Sequence, residues 1–380
     1  MGETRVHFNG LNALRFIAAS LVVVGHTSLV LDFFGFQSST AWLNPETGKL
    51  AVMLFFVLSG FLITYLLLTE RASAGAISIR NFYLRRMLRI WPLYYLLVLT
   101  AFLLLPRISF LEVPSWSIGQ YRWWPNFLLY ATIFPNLASP IPYVSHLWSI
   151  GVEEQFYLVW PIVMKYVRKP AALLVAIVIV YPATLWLVTF VPVAARGRVL
   201  ATLLDALYLF RVDCLVLGAL GALALFHQVR AVLSVVYSRT VQAAILAALG
   251  FLYVRWVDLR FLTYEVYGVL FVVLILNVCS NPRSLVKLDH PVFESLGRVS
   301  YGIYMYHPLA VVLTIKSMAL CAPGFARTVF FQAAAHLLVM AVTIGFAYAS
   351  YHWFEWRFLR LKLKVSSIVS GDLVSAKEAG

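Results

Sequence analysis

Arg15 and His26 are the first residues in this chain that a purely apolar role does not explain. Both lie in the run Leu11 to Leu31, LNALRFIAASLVVVGHTSLVL, which is long enough to cross a bilayer. Eleven residues advance a helix by about 1100°, close to three turns, so the two share one face about 16 Å apart along the axis. Ionisable groups held in hydrocarbon are costly and point to function. Imidazole titrates near physiological pH, which makes His26 a candidate general base. The plainer reading gives His26 a hydrogen bond to a neighbouring helix and lets Arg15 snorkel to headgroups.

Four further stretches carry groups of this kind. FFVLSGFLIT, from Phe55 to Thr64, holds the small pair Ser59-Gly60, which suits close helix packing and also lets a ligand approach the backbone. A basic stretch supplies Arg71, Arg80, Arg85, Arg86 and Arg89 and no lysine. If it is helical, Arg86 and Arg89 fall one turn apart on one face, a spacing that suits bidentate phosphate binding; the alternative is a basic loop that only sets topology. HLWSIGVEEQFYLVWP, from His146 to Pro161, places Glu153 and Glu154 inside an apolar helix. They point about 100° apart and so serve different partners, either in acid/base and orienting work or in ion pairs with an arginine such as Arg15 or Arg211. GRVSYGIYMYHPLA aligns Tyr301, Tyr304 and His307 at intervals of three, a polar stripe able to hold a hydroxylated ligand or relay protons, or simply a satisfied histidine before Pro308. Asp205, Arg211 and Asp213 read as structural; Arg211 and Asp213, two apart on a helix, would each need a partner elsewhere.

The elements that position these groups are set by composition. The chain has 380 residues, 62% hydrophobic and 12% charged, half the charged share of a soluble domain. This is an all-α polytopic membrane protein, since a β-barrel would show short alternating segments. The apolar runs suggest ten transmembrane helices in one bundle, at roughly 11–31, 50–68, 88–105, 147–167, 170–190, 205–226, 240–257, 262–279, 298–317 and 329–351. Ten spans put both termini on one side, and the loops of that side carry roughly twice as many Lys and Arg as the other, so both termini are expected in the cytoplasm. The net charge of +14 belongs to these boundaries and to anionic lipid, not to nucleic acid. The scattered Cys214, Cys279 and Cys321 offer no metal site. The first run is too long, and lacks small-residue cleavage signals, for a removable signal peptide. Residues 1–364 read as one membrane domain and 365–380 as a short polar tail without structure. Within 106–146, the aromatic stretch from Trp123 to Phe134 is too short to span and reads as a re-entrant or interfacial helix, a candidate lid over an outside cavity. The Arg168-Lys169-Pro170 link suggests that the helices flanking it pack as antiparallel neighbours.

Five runs in order, RFIAASLVVVGH, FFVLSGFLIT, FYLRRMLRIWPLYY, LWSIGVEEQFYLVWP and SYGIYMYH, resemble the acyltransferase 3 family of integral membrane acyltransferases, over nearly the whole chain. The resemblance implies a ten-helix core in a bacterial inner membrane. It implies transfer of an acyl group, most often acetyl from acetyl-CoA, to a hydroxyl of an envelope or exported carbohydrate. Some members carry a periplasmic hydrolase-like extension. None is visible here, so the membrane part or a separate partner is expected to complete the transfer. The family's motifs fall on Arg15 and His26, on Ser59 and Gly60, on Arg86 and Arg89, on Glu153 with Glu154 beside it, and on Tyr304 and His307. The expected roles are catalysis for His26, Arg15 and Glu153, acyl-CoA donor binding for Arg86, Arg89 and Ser59, and acceptor binding for Tyr304, His307 and Glu154.

Residues and resemblance together give a division of labour. Arg86 and Arg89 hold the donor's phosphates at the cytoplasmic face, and the pantetheine arm reaches toward His26. His26 takes the proton of the attacking hydroxyl, Glu153 orients it or stabilises its protonated form, and Arg15 holds the donor or stabilises charge on the thioester oxygen. A covalent acyl-His or acyl-Tyr relay stays open. So do a carrier of a lipid-linked sugar, although no internal repeat supports it, and a module that feeds acyl groups to a separate transferase. No metal and no permanently bound cofactor are expected.

Overall fold

The computed structural model describes residues 4–36, 46–113, 123–190, 210–255, 257–324, 328–364 and 368–370. Asp205 lies outside them. Among these residues, fourteen α-helices carry the fold: α1 (Leu11–Phe33), α2 (Thr47–Ala74), α3 (Ile79–Leu99), α4 (Trp123–Ala131), α5 (Trp148–Tyr166), α6 (Pro170–Thr189), α7 (Val212–Phe226), α8 (Arg230–Val236), α9 (Arg239–Arg255), α10 (Thr263–Ser280), α11 (Pro291–Arg298), α12 (Ser300–Cys321), α13 (Val329–Ser350) and α14 (Trp356–Lys364). Among the described residues, seven helices are long and apolar enough to cross a membrane, or eight if α7 and α8, bent by 109°, form one span. This is short of the ten suggested by the apolar runs. α5 has 19 residues but carries Glu153, Glu154 and Lys165, and α9 has only 17.

α2 is the central pillar. It packs against α1, α5, α7 and α10, with Phe56, Val57, Leu58 and Phe61 fully buried. Its contact with α7 is the tightest in the bundle. A methyl group on Gly60 would run into the Leu215 carbonyl, and one on Gly218 into the Val57 carbonyl. Between helices in lipid, small residues permit this approach and the dispersion contacts that come with it. Gly60 therefore has the packing role suggested by the small pair.

One local feature decides between the alternatives the sequence offered and two depart from it. The basic stretch is no loop: Ser78 caps α3 by accepting from the Asn81 amide at 3.4 Å, so Arg80 to Arg89 form its first turns. Arg211 is not helical, with φ 35°, and immediately precedes α7. That lets it bond directly to Asp213 at 2.7 Å, which the spacing within a helix forbids, while also reaching Glu265 at 3.2 Å and lying 4.4 Å from the Tyr264 ring centre. The short α5–α6 link does not make those helices a closely packed pair; α6 lies on α7 instead.

Within 106–146, α4 is the expected short helix, but it packs against α3, and no described residue of this segment lines the cavity where α1, α2, α3, α5, α12 and α14 converge. The Tyr94 and Tyr95 hydroxyls donate to the carbonyls of Tyr130 and Ala131 at 2.8 and 2.9 Å, satisfying the C-terminal end of α4. Near the two ends of the chain, β1 (Thr4–Val6) and β2 (Ile368–Ser370) pair in parallel, so part of the segment expected to lack structure is a strand.

Candidate active site

A cavity of ≈ 110 Å³ opens where α1, α2, α3, α5, α12 and α14 converge. Its lining includes Arg15 from α1, Ser59 from α2, Arg86 and Arg89 from α3, Glu153 and Tyr157 from α5, Tyr301 and Tyr304 from α12, and Lys362 from α14. Helical geometry places Arg86 and Arg89 one turn apart, and both face the chamber. Arg85, between the same turns, points elsewhere and pairs with Glu70 at 2.6 Å. The guanidinium of Arg86 lies 5.9 Å from the ring centres of Phe82 and Tyr157, and that of Arg89 5.9 Å from Tyr301.

The two glutamates diverge as their helical positions require. Ser59 Oγ donates to Glu153 Oε1 at 2.8 Å, and the Tyr157 hydroxyl donates to Oε2 at 3.3 Å. Trp91 Nε1 donates to Glu154 Oε2 at 2.8 Å. Glu153 does not reach His26, so the expected orienting contact is not made. Glu154 pairs with neither Arg15 nor Arg211 and stays off the cavity lining. Ser59 lines the cavity, where its hydroxyl is committed to Glu153.

His26 is not on the cavity lining. It belongs to an aromatic cluster beside it. The ring centres of His26 and His307 are 4.8 Å apart, those of His307 and His146 4.9 Å, and those of His146 and Tyr304 5.2 Å. His26 Nδ1 lies 3.0 Å from the Val22 carbonyl oxygen. A carbonyl only accepts, so Nδ1 carries the proton and Nε2 keeps its lone pair. His307 Nδ1 donates to the Tyr304 carbonyl at 2.5 Å by the same logic, and its Nε2 has no hydrogen-bond partner among the described residues. His146 and His307 are buried, whereas His26 is half-buried.

Tyr304 joins the two compartments. Its hydroxyl donates to the His146 carbonyl at 2.8 Å and lies 2.6 Å from Ser149 Oγ. Tyr304 and Ser149 line the cavity on one side and adjoin the histidines on the other. Tyr301, lower on the same stripe, donates to the Ile90 carbonyl at 2.9 Å. The structure thus brings together Arg15, Ser59, Arg86, Arg89, Glu153 and Tyr304 in one chamber. It sets His26 and His307 against its far wall.

Sequence reasoning passed over His146, Ser149, Tyr157 and Lys362. Three of these carried a signal. Ser149, Glu153 and Tyr157 recur every four residues and form one stripe of α5, which begins just after His146.

A sequence model described as an acyltransferase domain matches residues 8–352. The chain belongs to the acyltransferase 3 family. It is 26% identical to the peptidoglycan O-acetyltransferase OatA of Listeria monocytogenes over 379 residues, covering 90% of this chain and 55% of OatA. It is 28% identical over 373 residues to YrhL of Bacillus subtilis, whose name provisionally assigns it peptidoglycan O-acetylation; that match covers 91% of this chain and 54% of YrhL. The chain therefore spans about half the length of the curated relatives it matches. No solved structure matches it.

Proposed function

We propose that this family member is a membrane O-acyltransferase that moves an acyl group, foremost acetyl, from acyl-CoA to a hydroxyl of an envelope carbohydrate such as peptidoglycan. The observation that carries this reading is the adjacency of a cationic chamber and a histidine cluster across Tyr304. Coenzyme A is a polyanion with a long neutral arm ending in the thioester. Arg86 and Arg89 bind its phosphates, and the arm runs toward the histidines. With the termini in the cytoplasm of a bacterial inner membrane, the arginines face the donor pool and His26 lies nearer the opposite surface, where envelope glycans are.

His26 Nε2 is the base. It takes the proton of the acceptor hydroxyl as that oxygen bonds to the thioester carbonyl carbon. The C–S bond then breaks, and the protonated imidazole returns its proton to the departing coenzyme A sulfur, so the histidine ends as it began. The Val22 carbonyl holds the tautomer this requires. Glu153, fixed by Ser59 and Tyr157, shapes the donor chamber instead of orienting the base, and Arg15 beside it supplies positive charge.

The test is the full chain in liposomes, given acetyl-CoA labelled in the acetyl group on one side and peptidoglycan glycan fragments on the other. Labelled O-acetyl ester on the glycan is expected, together with its loss in His26→Gln. Transfer that persists in His26→Gln refutes the general-base mechanism. Binding of acetyl-CoA without consumption of donor refutes the enzyme reading.

A further inference from the structure

Lys362 belongs to a basic helix yet turns away from the solvent and lipid that such helices face. In α14, Arg357 and Arg360 are exposed, and Arg360 lies over the Trp356 ring at 5.4 Å. Lys362 is 3% exposed and lines the cavity. It closes a buried stripe formed by Tyr351, Glu355, Leu359 and Lys362 at successive turns. A π-helical turn, Tyr351–Glu355, links α13 to α14. Such a turn inserts an extra residue and rotates the helix beyond it, so the face carried inward by α14 differs from the one an unbroken helix would present. Ser350 Oγ donates to Glu355 Oε1 at 3.1 Å across that turn. In an ordinary amphipathic basic helix the inward stripe is apolar and every lysine points to water or headgroups. Lys362 breaks that pattern where the helix meets the chamber.

The chamber gives the reason. Among the described residues its lining holds four cations, Arg15, Arg86, Arg89 and Lys362, and one carboxylate, Glu153. An excess of positive charge along a chamber lining favours a polyanionic ligand. Arginine forks suit bidentate contacts, while lysine is a compact point charge on a flexible stem and suits a phosphate approached from one side.

We propose that Lys362 is a donor-binding residue whose ammonium contacts a phosphate of acyl-CoA held by Arg86 and Arg89. The C-terminal helix, which lies beyond the residues 8–352 matched by the family model, is then part of the donor site. The proposal rests on the acyl-CoA reading above.

Acetyl-CoA binding to the full chain in nanodiscs tests it, by calorimetry and by donor-induced shift of the melting temperature. Lys362→Met keeps an unbranched apolar stem and removes the charge; Lys362→Gln is a second neutral variant, read the same way. Both are expected to weaken acetyl-CoA binding by about ten-fold or more, the size of a lost hydrogen bond to a charged group. Lys362→Arg restores most of it, and the double variant Arg357→Gln/Arg360→Gln, on the exposed face, leaves it intact. If the neutral variants bind acetyl-CoA normally while Arg86→Ala does not, the inference is overturned and the donor reading stands. If they melt lower but keep the full donor-induced shift, Lys362 serves packing, and the inference is again overturned. If Arg86→Ala also binds normally, the donor reading itself falls.

Discussion

The imidazole of His26 lies over that of His307, ring centre to ring centre at 4.8 Å, yet neither uses its Nδ1 to reach the other. Each Nδ1 is committed to a carbonyl of its own helix, Val22 for His26 and Tyr304 for His307. Both rings therefore present Nε2, but only His26 is half-exposed, while His307 is fully buried. An acceptor hydroxyl reaches the former first. His26→Gln keeps much of the volume but accepts no proton in catalysis, and its acyl transfer rate is expected to fall by about 10² to 10⁴, as is typical for loss of a general base. Acetyl-CoA binding, measured by calorimetry, stays within about three-fold, since Arg86 and Arg89 line the donor chamber and His26 does not. Near-normal transfer in His26→Gln with loss in His307→Gln would reverse the assignment of the two histidines.

Arg86 and Arg89 share a face of α3 and a chamber. Replacing either with Ala is expected to weaken acetyl-CoA binding by roughly ten-fold or more. Lysine at either position restores charge without the fork and rescues only in part. Arg85→Ala is the internal control, because its guanidinium is spent on Glu70. Equal effects at all three positions would assign them to topology.

Ser59 and Glu153 act as a unit through their 2.8 Å bond. Ser59→Ala leaves a buried carboxylate short of a donor, a loss of about 1–3 kcal/mol. The double variant Ser59→Ala/Glu153→Gln then costs less than the two single losses added, with a coupling of about 1 kcal/mol in kcat/KM for acetyl-CoA. Strict additivity would show that the bond does not matter to donor handling.

Gly60 next to Ser59 does a different job. Gly60→Ala forces a methyl group against the Leu215 carbonyl and is expected to destabilise the bundle by about 1–3 kcal/mol, read as a lower melting temperature in detergent. The same substitution at Gly250, where an added methyl meets no atom within 4 Å, leaves the melting temperature in place. Equal melting of the two variants would mean that the α2–α7 contact yields without cost.

Sidedness is checked with single cysteines at the exposed Ser73 and Ser139. In intact cells a membrane-impermeant thiol reagent is expected to label Ser139→Cys and to spare Ser73→Cys. The reverse pattern would invert the orientation and place the cationic chamber away from the cytoplasmic donor pool.

Much of this site was legible along single helices. Spacing of three and four placed Arg86 with Arg89, and Tyr301 with Tyr304 and His307, on common faces, and the 100° step between neighbours separated Glu153 from Glu154. Pairings between helices were not legible. That Ser59 bonds Glu153, or that Trp91 bonds Glu154, depends on how α2, α3 and α5 rotate against one another, and apolar runs carry no such information. Arg211 misled for a related reason: periodicity assumes a helix, and a single left-handed residue at its start cancels the rule. Lys362 was hidden because a lysine at the end of an apolar run looks like every other topogenic charge, until a π-helical turn points it inward.

The wall at Tyr304 also bears on the membrane itself. A protein that admits a polyanion from one side and a sugar from the other risks becoming a leak for ions. Here Tyr304, Ser149, His146 and His307 are all at most 5% exposed, and the Tyr304 hydroxyl is held by the His146 carbonyl and Ser149. On the acyl-CoA reading only the thin thioester end of the arm passes between these side chains to reach His26, whereas a hydrated ion would have to break their packing and hydrogen bonds open. On that reading the substrates meet at one point in a packed wall, and the resting protein holds these four side chains closed against ions.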